Sequence, residues 1–200
     1  REAIGGYFRM AHLERIDVRA TVSAEAEALA TTHLGGTYER LFNGIEIDRF
    51  TDVDPWPTEG PTVFFLGRHE ERKGLDVLLD ALPGLPEHIR IWIGSDGPDT
   101  ERLKVRHAGD PRIEWLGRLS DLDKRRRLAA ATVFCAPSLH GESFGVVLLE
   151  AMAAGCIPLV VNRGGPPEIV QDKSTGHVFN SLDELVELSG RLLSLPPDDE

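Results

Sequence analysis

Glu142 and Glu150 are placed to do chemistry in this 200-residue chain because of what lies around them. The stretch reads Gly141-Glu142-Ser143-Phe144-Gly145-Val146-Val147-Leu148-Leu149-Glu150 and runs on to Gly155. Gly141 and Gly145 allow the backbone to approach a bulky group closely. From Phe144 to Ala154 there is no proline, and Glu150 is the only charge. That pattern predicts a buried helix that begins at Phe144 and stops at Gly155. A helix entered through a Gly-rich turn aims its first N–H groups and the positive end of its dipole at an anion. Glu142 stands just before that end. Glu150 lies two turns in and needs a partner, since burying an unpaired carboxylate is costly.

A second group of residues is cationic. Gly67-Arg68-His69-Glu70-Glu71-Arg72-Lys73-Gly74 follows the apolar run Thr62–Leu66, which reads as a strand. A loop that leaves a strand sits at the carboxyl edge of its sheet, so Arg68 and Lys73 are at hand to neutralise a diphosphate. Arg offers a planar fork and Lys a compact point charge. Arg72, beside Lys73, competes for the same role. Ile93-Gly94-Ser95-Asp96-Gly97-Pro98 closes a second strand, with Gly94 and Gly97 allowing close passage of the backbone or simply making a tight turn. After a third strand come Gly117-Arg118-Leu119-Ser120-Asp121-Leu122-Asp123-Lys124, where Asp121 reads equally well as a helix cap.

The elements that must carry these loops alternate along the chain. Strands are expected at Thr62–Leu66, Ile89–Ile93, Ile113–Leu116, Val133–Ala136, Ile157–Val161 and Thr175–Phe179. Helices are expected at Gly74–Leu82, Thr100–His107, Asp121–Ala131, Pro166–Val170 and from the Ser181 cap to Leu193, with Glu184 completing a capping box. This βα rhythm predicts an α/β, Rossmann-like, doubly wound parallel sheet, whose ligands sit outside the carboxyl ends of the strands. Residues 1–42 read differently. They comprise a mixed, partly helical opening, a strand over Val18–Val22 and an Ala/Glu-rich helix capped by Ser23 that ends near Gly35-Gly36. Asp52–Pro61 is rich in proline and reads as a linker.

Composition sets outer limits. Hydrophobic residues make up 41% and charged residues 28%, which suits a soluble globular protein. A net charge of −11 argues against nucleic acid as a partner and against general adhesion to anionic lipid. Cys135 and Cys156 sit in apolar runs and read as buried thiols, so a reducing, cytoplasmic setting is expected. No apolar run of about 18 residues predicts a membrane span, and the opening residues do not read as a signal peptide.

The Glu, seven residues, Glu pattern, headed by Gly-Glu-Ser-Phe-Gly, resembles the signature of retaining glycosyltransferases of family 4. These have the two-domain GT-B fold. The resemblance implies that Glu142 contacts the transferred sugar, that the backbone of Phe144, Gly145 and Val146 holds the donor phosphates, with Ser143 also in the donor site, and that Glu150 takes the ribose hydroxyls. Gly67, Arg68 and Lys73 are similar to the family's Gly-Arg…Lys-Gly element, which binds pyrophosphate. Gly94 matches a turn beside the nucleotide. Leu119 would touch the base, with Asp121 and Lys124 at its hydrogen-bonding edge. A carboxylate accepting from a ring N–H and an amino group favours guanine. Asn162-Arg163-Gly164-Gly165-Pro166-Pro167-Glu168-Ile169 resembles the family's Gly-Gly-x-x-Glu-Ile segment, and Asn43-Gly44-Ile45-Glu46-Ile47-Asp48-Arg49-Phe50 the crossing between its two domains. The likeness covers about residues 43–180. Around Glu142 and Arg68 it is most like bacterial phosphatidylinositol mannosyltransferases.

On that resemblance, residues 1–42 are the end of an N-terminal acceptor domain, 43–61 the crossing and linker, 62–195 the nucleotide-sugar domain and 196–200 a frayed tail. The implied reaction moves a hexose from a nucleoside diphosphate sugar with retention. GDP-mannose is favoured as the donor, with a UDP-sugar as the alternative. Glu142, Arg68 and Lys73 would be catalytic. The leaving phosphate would take the acceptor proton in a front-face displacement. Without an Asp-x-Asp element in a metal-binding context, no metal or cofactor is expected. The missing acceptor domain and a lipid acceptor are the implied partners, at the inner face of a membrane if the protein is peripheral. The chain alone should bind the donor with little or no transfer. A GT-B-like sugar-nucleotide epimerase and a non-catalytic binding module stay open. A nicotinamide dehydrogenase is disfavoured, because Gly67-Arg68-His69 is not the start of a Gly-x-Gly-x-x-Gly turn.

Overall fold

The structure, a computed structural model, describes residues 15–194. The partly helical opening expected before residue 15 and the tail at 196–200 lie outside the described residues. The chain divides into two units, Arg1–Gly44 and Ile45–Glu200.

In the first unit, strand β1 (Ala20–Thr21) pairs in parallel with β2 (Glu39–Arg40), and helix α1 (Ala24–Leu34) connects them. Ser23 caps α1 as expected, its Oγ accepting from Ala26 N at 3.0 Å. The strand expected over Val18–Val22 shrinks to two residues, whose pairing with β2 is flanked by bonds from Glu39 N to Arg19 O and from Leu41 N to Thr21 O.

The second unit holds a six-stranded sheet. Its strands are β3 (Thr62–Leu66), β4 (Arg90–Gly94), β5 (Ile113–Gly117), β6 (Val133–Ala136), β7 (Ile157–Val161) and β8 (His177–Phe179). Their spatial order is β5-β4-β3-β6-β7-β8, and every pair is parallel. The first three strands step outward one way, and the chain then returns to the middle and steps outward the other way. The reversal lies between β3 and β6, so this is where the loops at the carboxyl ends part and leave a crevice.

Helices cover both faces. Short α2 (Asp48–Thr51), α5 (Asp121–Ala130) and α6 (Val146–Ala153) bury Phe50, Leu128 and Leu148 against Phe64, Trp92, Phe134 and Val160. On the other face, α3 (Leu75–Asp80), α4 (Thr100–Arg106) and α8 (Leu182–Leu192) bury Leu75, Leu78, Leu103 and Leu185 against Val63, Phe65, Ile91 and Ile93. Short α7 (Pro166–Ile169) follows β7. Adjacent residues of β3 therefore serve opposite cores, which is why its sequence is apolar throughout and does not alternate. Phe64 anchors one core edge-on to Phe134, with ring centroids 5.9 Å apart.

Within this unit, residues 45–61 pack against its helices and sheet. Trp56 N donates to Arg126 O at 2.8 Å, and Phe50 is buried. Arg127, also buried, lies between two indoles, 4.2 Å from the Trp56 ring centroid and 4.6 Å from that of Trp92. Its Nη2 donates to Glu114 at 3.2 Å, and the two ring faces stabilise the rest of the charge.

Some boundaries shift for local reasons. The helix expected over Gly74–Leu82 is confined to Leu75–Asp80, since Gly74 has φ 70° and Pro83 lies in a 3₁₀ turn. β8 loses Thr175, whose N–H and hydroxyl both close a turn onto Gln171. In the last helix, Ser181 Oγ accepts from Glu184 N, but Glu184 reaches back to Asn180 N at 2.7 Å instead of closing the box on Ser181.

At the edge of the fold, Arg112 holds Asp110 through two bonds, at 3.0 and 2.8 Å, and donates to Leu82 O and Leu85 O. The guanidinium keeps the Asp110 carboxyl below the usual carboxylate range. A depressed folded-state value means that this contribution is complete above the unfolded value of about 3.9 and is lost as pH falls through the folded one. Arg112→Met is expected to cost about 2 kcal/mol at neutral pH, with part of that loss vanishing in acid. Urea unfolding of both proteins at neutral and acid pH reads this directly.

Candidate functional site

The crevice between β3 and β6 is bounded by two loops that lock together. Leu139 N donates to Arg72 O at 2.8 Å, and Arg72 Nη1 reaches Gly141 O at 3.4 Å. Gly74, in the left-handed region, lies so close to the second loop that a Cβ on it would come within 1.9 Å of Pro137 O. Glycine is required there on both counts. This contact carries Lys73 to the crevice, where its ammonium donates to Glu142 Oε2. A third loop supports the pair from behind. Gly165 N donates to Glu142 O at 2.9 Å, and a side chain on Gly165 would collide with Ser143 O.

α6 begins at Val146, not at Phe144 as its apolar run suggested. Gly145 takes φ 93°, a left-handed turn that breaks the helical path before it starts, and Phe144 turns into the interior. The tip is thus Gly145-Val146-Val147, whose first-turn N–H groups have no intrahelical acceptor by geometry. Gly67, Lys73, Glu142 and Gly145 all line one small crevice of about 50 Å³. Ser143 is exposed at its lip.

The partner that Glu150 requires is Lys124. From α5, its Nζ donates to both Glu150 oxygens, at 2.7 and 2.8 Å. Asp121 sits at the first position of α5, while the cap is Ser120, whose Oγ accepts from Asp123 N at 3.1 Å. Burial pushes the Asp121 carboxyl up, but Lys124, Arg49 and Arg125 together outweigh it and hold the group below the usual range. Arg49, in α2, makes the short contact, Nη2 to Oδ2 at 2.7 Å. Gly94 and Leu119 meet at the ends of β4 and β5, where a Cβ on Gly94 would lie 3.3 Å from the Leu119 side chain.

Arg68 is placed apart from this group. It lines a wider cleft of about 840 Å³ together with Ser95, Asp96, Thr100, Lys104, Trp115 and Arg118, and its Nε lies 3.3 Å from Glu70. Lys73, expected beside it, lines the small crevice. Both belong to the segment that follows β3, at the carboxyl edge of the sheet. Between them, His69 is buried, 2.8 Å from Thr100 Oγ1 and 3.3 Å from Gly94 O. Burial pushes its imidazole below the usual value, so it stays neutral and fastens the loop after β3 to the one after β4. Sequence reasoning passed over His69 and Arg49. A buried histidine between charged neighbours carries no pattern, and Arg49 signals only through the adjacent, core-forming Phe50.

Comparison with known proteins identifies the family. A model of the family described as Glycosyl transferases group 1 matches residues 60–195. A phosphatidyl-myo-inositol mannosyltransferase of Mycobacterium leprae is 36% identical over 194 residues, covering 93% of this chain and 51% of that protein. A GDP-mannose-dependent monoacylated alpha-(1-6)-phosphatidylinositol monomannoside mannosyltransferase of Corynebacterium glutamicum is 30% identical, covering 80% of this chain and 48% of its own length. The chain spans about half the length of the curated relatives it matches. Among solved structures, Anabaena Alr3699/HepE in complex with UDP-glucose superposes with a TM-score of 0.82 at 19% identity, covering 94% of this chain and 57% of that one. That likeness establishes the fold as one half of a GT-B architecture.

Proposed function

The chain belongs to the group 1 glycosyl transferases, and from that premise we propose that it is the donor-binding half of a retaining mannosyltransferase that uses GDP-mannose. The observation that carries this reading is the Lys73–Glu142 pair, held in the β3–β6 crevice at the tip of α6. A nucleoside diphosphate lying across the crevice would place its phosphates against Lys73 and the N–H groups of Gly145, Val146 and Val147. The ribose would lie at Glu150, and the base against Leu119 near Gly94, Asp121 and Lys124. Arg68, on a solvated and adjustable side chain, would close on the outer phosphate from the wider cleft.

In the reaction, negative charge develops on the leaving diphosphate. Lys73, Arg68 and the oriented N–H groups stabilise it with little reorganisation. Glu142 and Ser143 face the sugar, and the departing phosphate oxygen takes the acceptor proton. This donor set supplies the positive charge from the protein alone, so the reaction is proposed to need no metal or cofactor. The names of the relatives support mannose, GDP and a phosphatidylinositol-class lipid acceptor. The acceptor site belongs to the other half of the full-length enzyme, which would work at the cytoplasmic membrane face as a peripheral protein. Among the described residues, no helix is long and apolar enough to cross a membrane.

A calorimetric panel of GDP-mannose, GDP, UDP-glucose and UDP-GlcNAc tests the reading. GDP-mannose and GDP should bind at least about tenfold more tightly than either uridine compound, the discrimination typical of a matched hydrogen-bonding edge. The chain alone should transfer no mannose, and the full-length enzyme should retain activity in chelator. Tighter binding of UDP-glucose would overturn the mannosyl assignment.

A further inference from the structure

We propose that Arg49, Asp121, Lys124 and Glu150 form a single charge relay that presents Glu150 to the donor ribose, with Lys124 acting as a positioning residue and not as a reader of the base. The proposal rests on the donor assignment above and concerns how that site is held in shape.

Glu150 is the one charge on an otherwise apolar helix, and it is oriented from outside that helix. Both of its oxygens accept from the Lys124 ammonium, at 2.7 and 2.8 Å, which fixes the plane of the carboxylate. Each oxygen keeps a further acceptor site, and an ionised carboxylate only accepts. Two vicinal hydroxyls, each a donor, complement that array. The lysine is itself confined. Its Nζ lies 5.6 Å from the centroid of buried Phe50, and its side chain is only 20% exposed.

Lys124 also has a competing carboxylate. Asp121 Oδ1 lies 3.5 Å from Nζ. What keeps the lysine on Glu150 is that Asp121 is already engaged. Arg49 Nη2 donates to its Oδ2 at 2.7 Å, and Arg125 Nε lies 3.2 Å from the same oxygen. Arg125 in turn donates to the Arg49 carbonyl at 3.1 Å, which holds α2 against α5. The order of charges, basic, acidic, basic, acidic, runs from the half-exposed Arg49 to the largely buried Glu150. Removing Arg49 frees Asp121 to draw Lys124 away, and Glu150 loses its orientation. The contribution of Arg49 thus passes through Asp121, Lys124 and Glu150 before it reaches a ligand.

The test compares GDP with its dideoxyribose analogue by calorimetry on the full chain. The parent should prefer GDP by at least about tenfold, the lower end for hydrogen bonds to a carboxylate. Lys124→Met should bring that preference to about threefold or less, and Lys124→Arg should retain it. Arg49→Met should reduce the preference, and adding Asp121→Asn to Arg49→Met should restore it, because the competing charge is gone. A structural role alone would not produce that recovery. If Lys124→Met weakens both ligands equally, or if the double variant discriminates no better than Arg49→Met, the relay is overturned while the donor assignment stands. If the parent itself binds the two nucleotides alike, Glu150 is not at the ribose, and the donor assignment fails with it.

Discussion

Replacing Lys73 with alanine is expected to weaken GDP binding about 100-fold, whereas Glu142→Gln should leave it unchanged or tighten it about threefold. The opposite directions follow from one contact. The Lys73 ammonium is engaged by Glu142, in a crevice where both side chains are mostly buried. A diphosphate must take over that ammonium. Without Lys73 the phosphates lose a charge-assisted hydrogen bond and also meet an uncompensated carboxylate, so two unfavourable effects add. Without the Glu142 charge, the lysine is released to the phosphates and the competitor is gone. In the full-length enzyme the same Glu142→Gln change should abolish transfer, because Glu142 is assigned to the sugar and not to the nucleotide. Calorimetry with GDP separates these outcomes. Equal weakening by both substitutions would remove Lys73 from the phosphate site.

Gly74→Ala is expected to destabilise the fold by about 3 kcal/mol or more. Two independent effects combine at this residue. Its φ of 70° is strained for any residue with a Cβ, and the Cβ would come within 1.9 Å of the Pro137 carbonyl oxygen. That oxygen is backbone and cannot swing aside as a side chain could. The loop after β6 would have to move, and the Leu139–Arg72 hydrogen bond and the Lys73–Glu142 pair would move with it. Gly109 is the control. It has φ 88° with nothing within 4 Å of its Cβ position, so Gly109→Ala should cost only the backbone strain, about 1 kcal/mol. Denaturation midpoints of the two variants separate strain from collision. Similar losses would show that the loop after β6 yields easily.

The parts of this architecture that were legible in the sequence are those set by local pattern. β3, β6 and β7 occupy the expected residues because their apolar runs are buried on both faces and flanked by clear punctuation. The need of Glu150 for a partner was also legible, since burial of a lone carboxylate is costly wherever it occurs. The identity of the partner was not. Lys124 is 26 residues away on another helix, and only the packing of α5 beside α6 brings the two together. The start of α6 departs from the expected one for a related reason. Helix-compatible residues extend back to Phe144, but the left-handed Gly145 and the inward turn of Phe144 depend on the surrounding loops. Arg68 and Lys73 share a short loop, yet a 3₁₀ turn over Glu71–Lys73 and the close approach of Gly74 to Pro137 send them to different cavities. Charge composition alone could not anticipate that split.

The strand order has an evolutionary corollary. Lys73, Glu142 and the tip of α6 arise from loops after the two central strands, which cross-brace one another through backbone contacts. Leu119 and Asp121 arise from the connection after the outermost strand, β5, which borders only one neighbour in the sheet. On the proposed reading, the invariant portion of any sugar nucleotide is handled by the rigid middle and its variable portion by the periphery. A lineage could therefore exchange one nucleobase for another by remodelling a single segment at the margin, while the machinery that releases the sugar stays untouched.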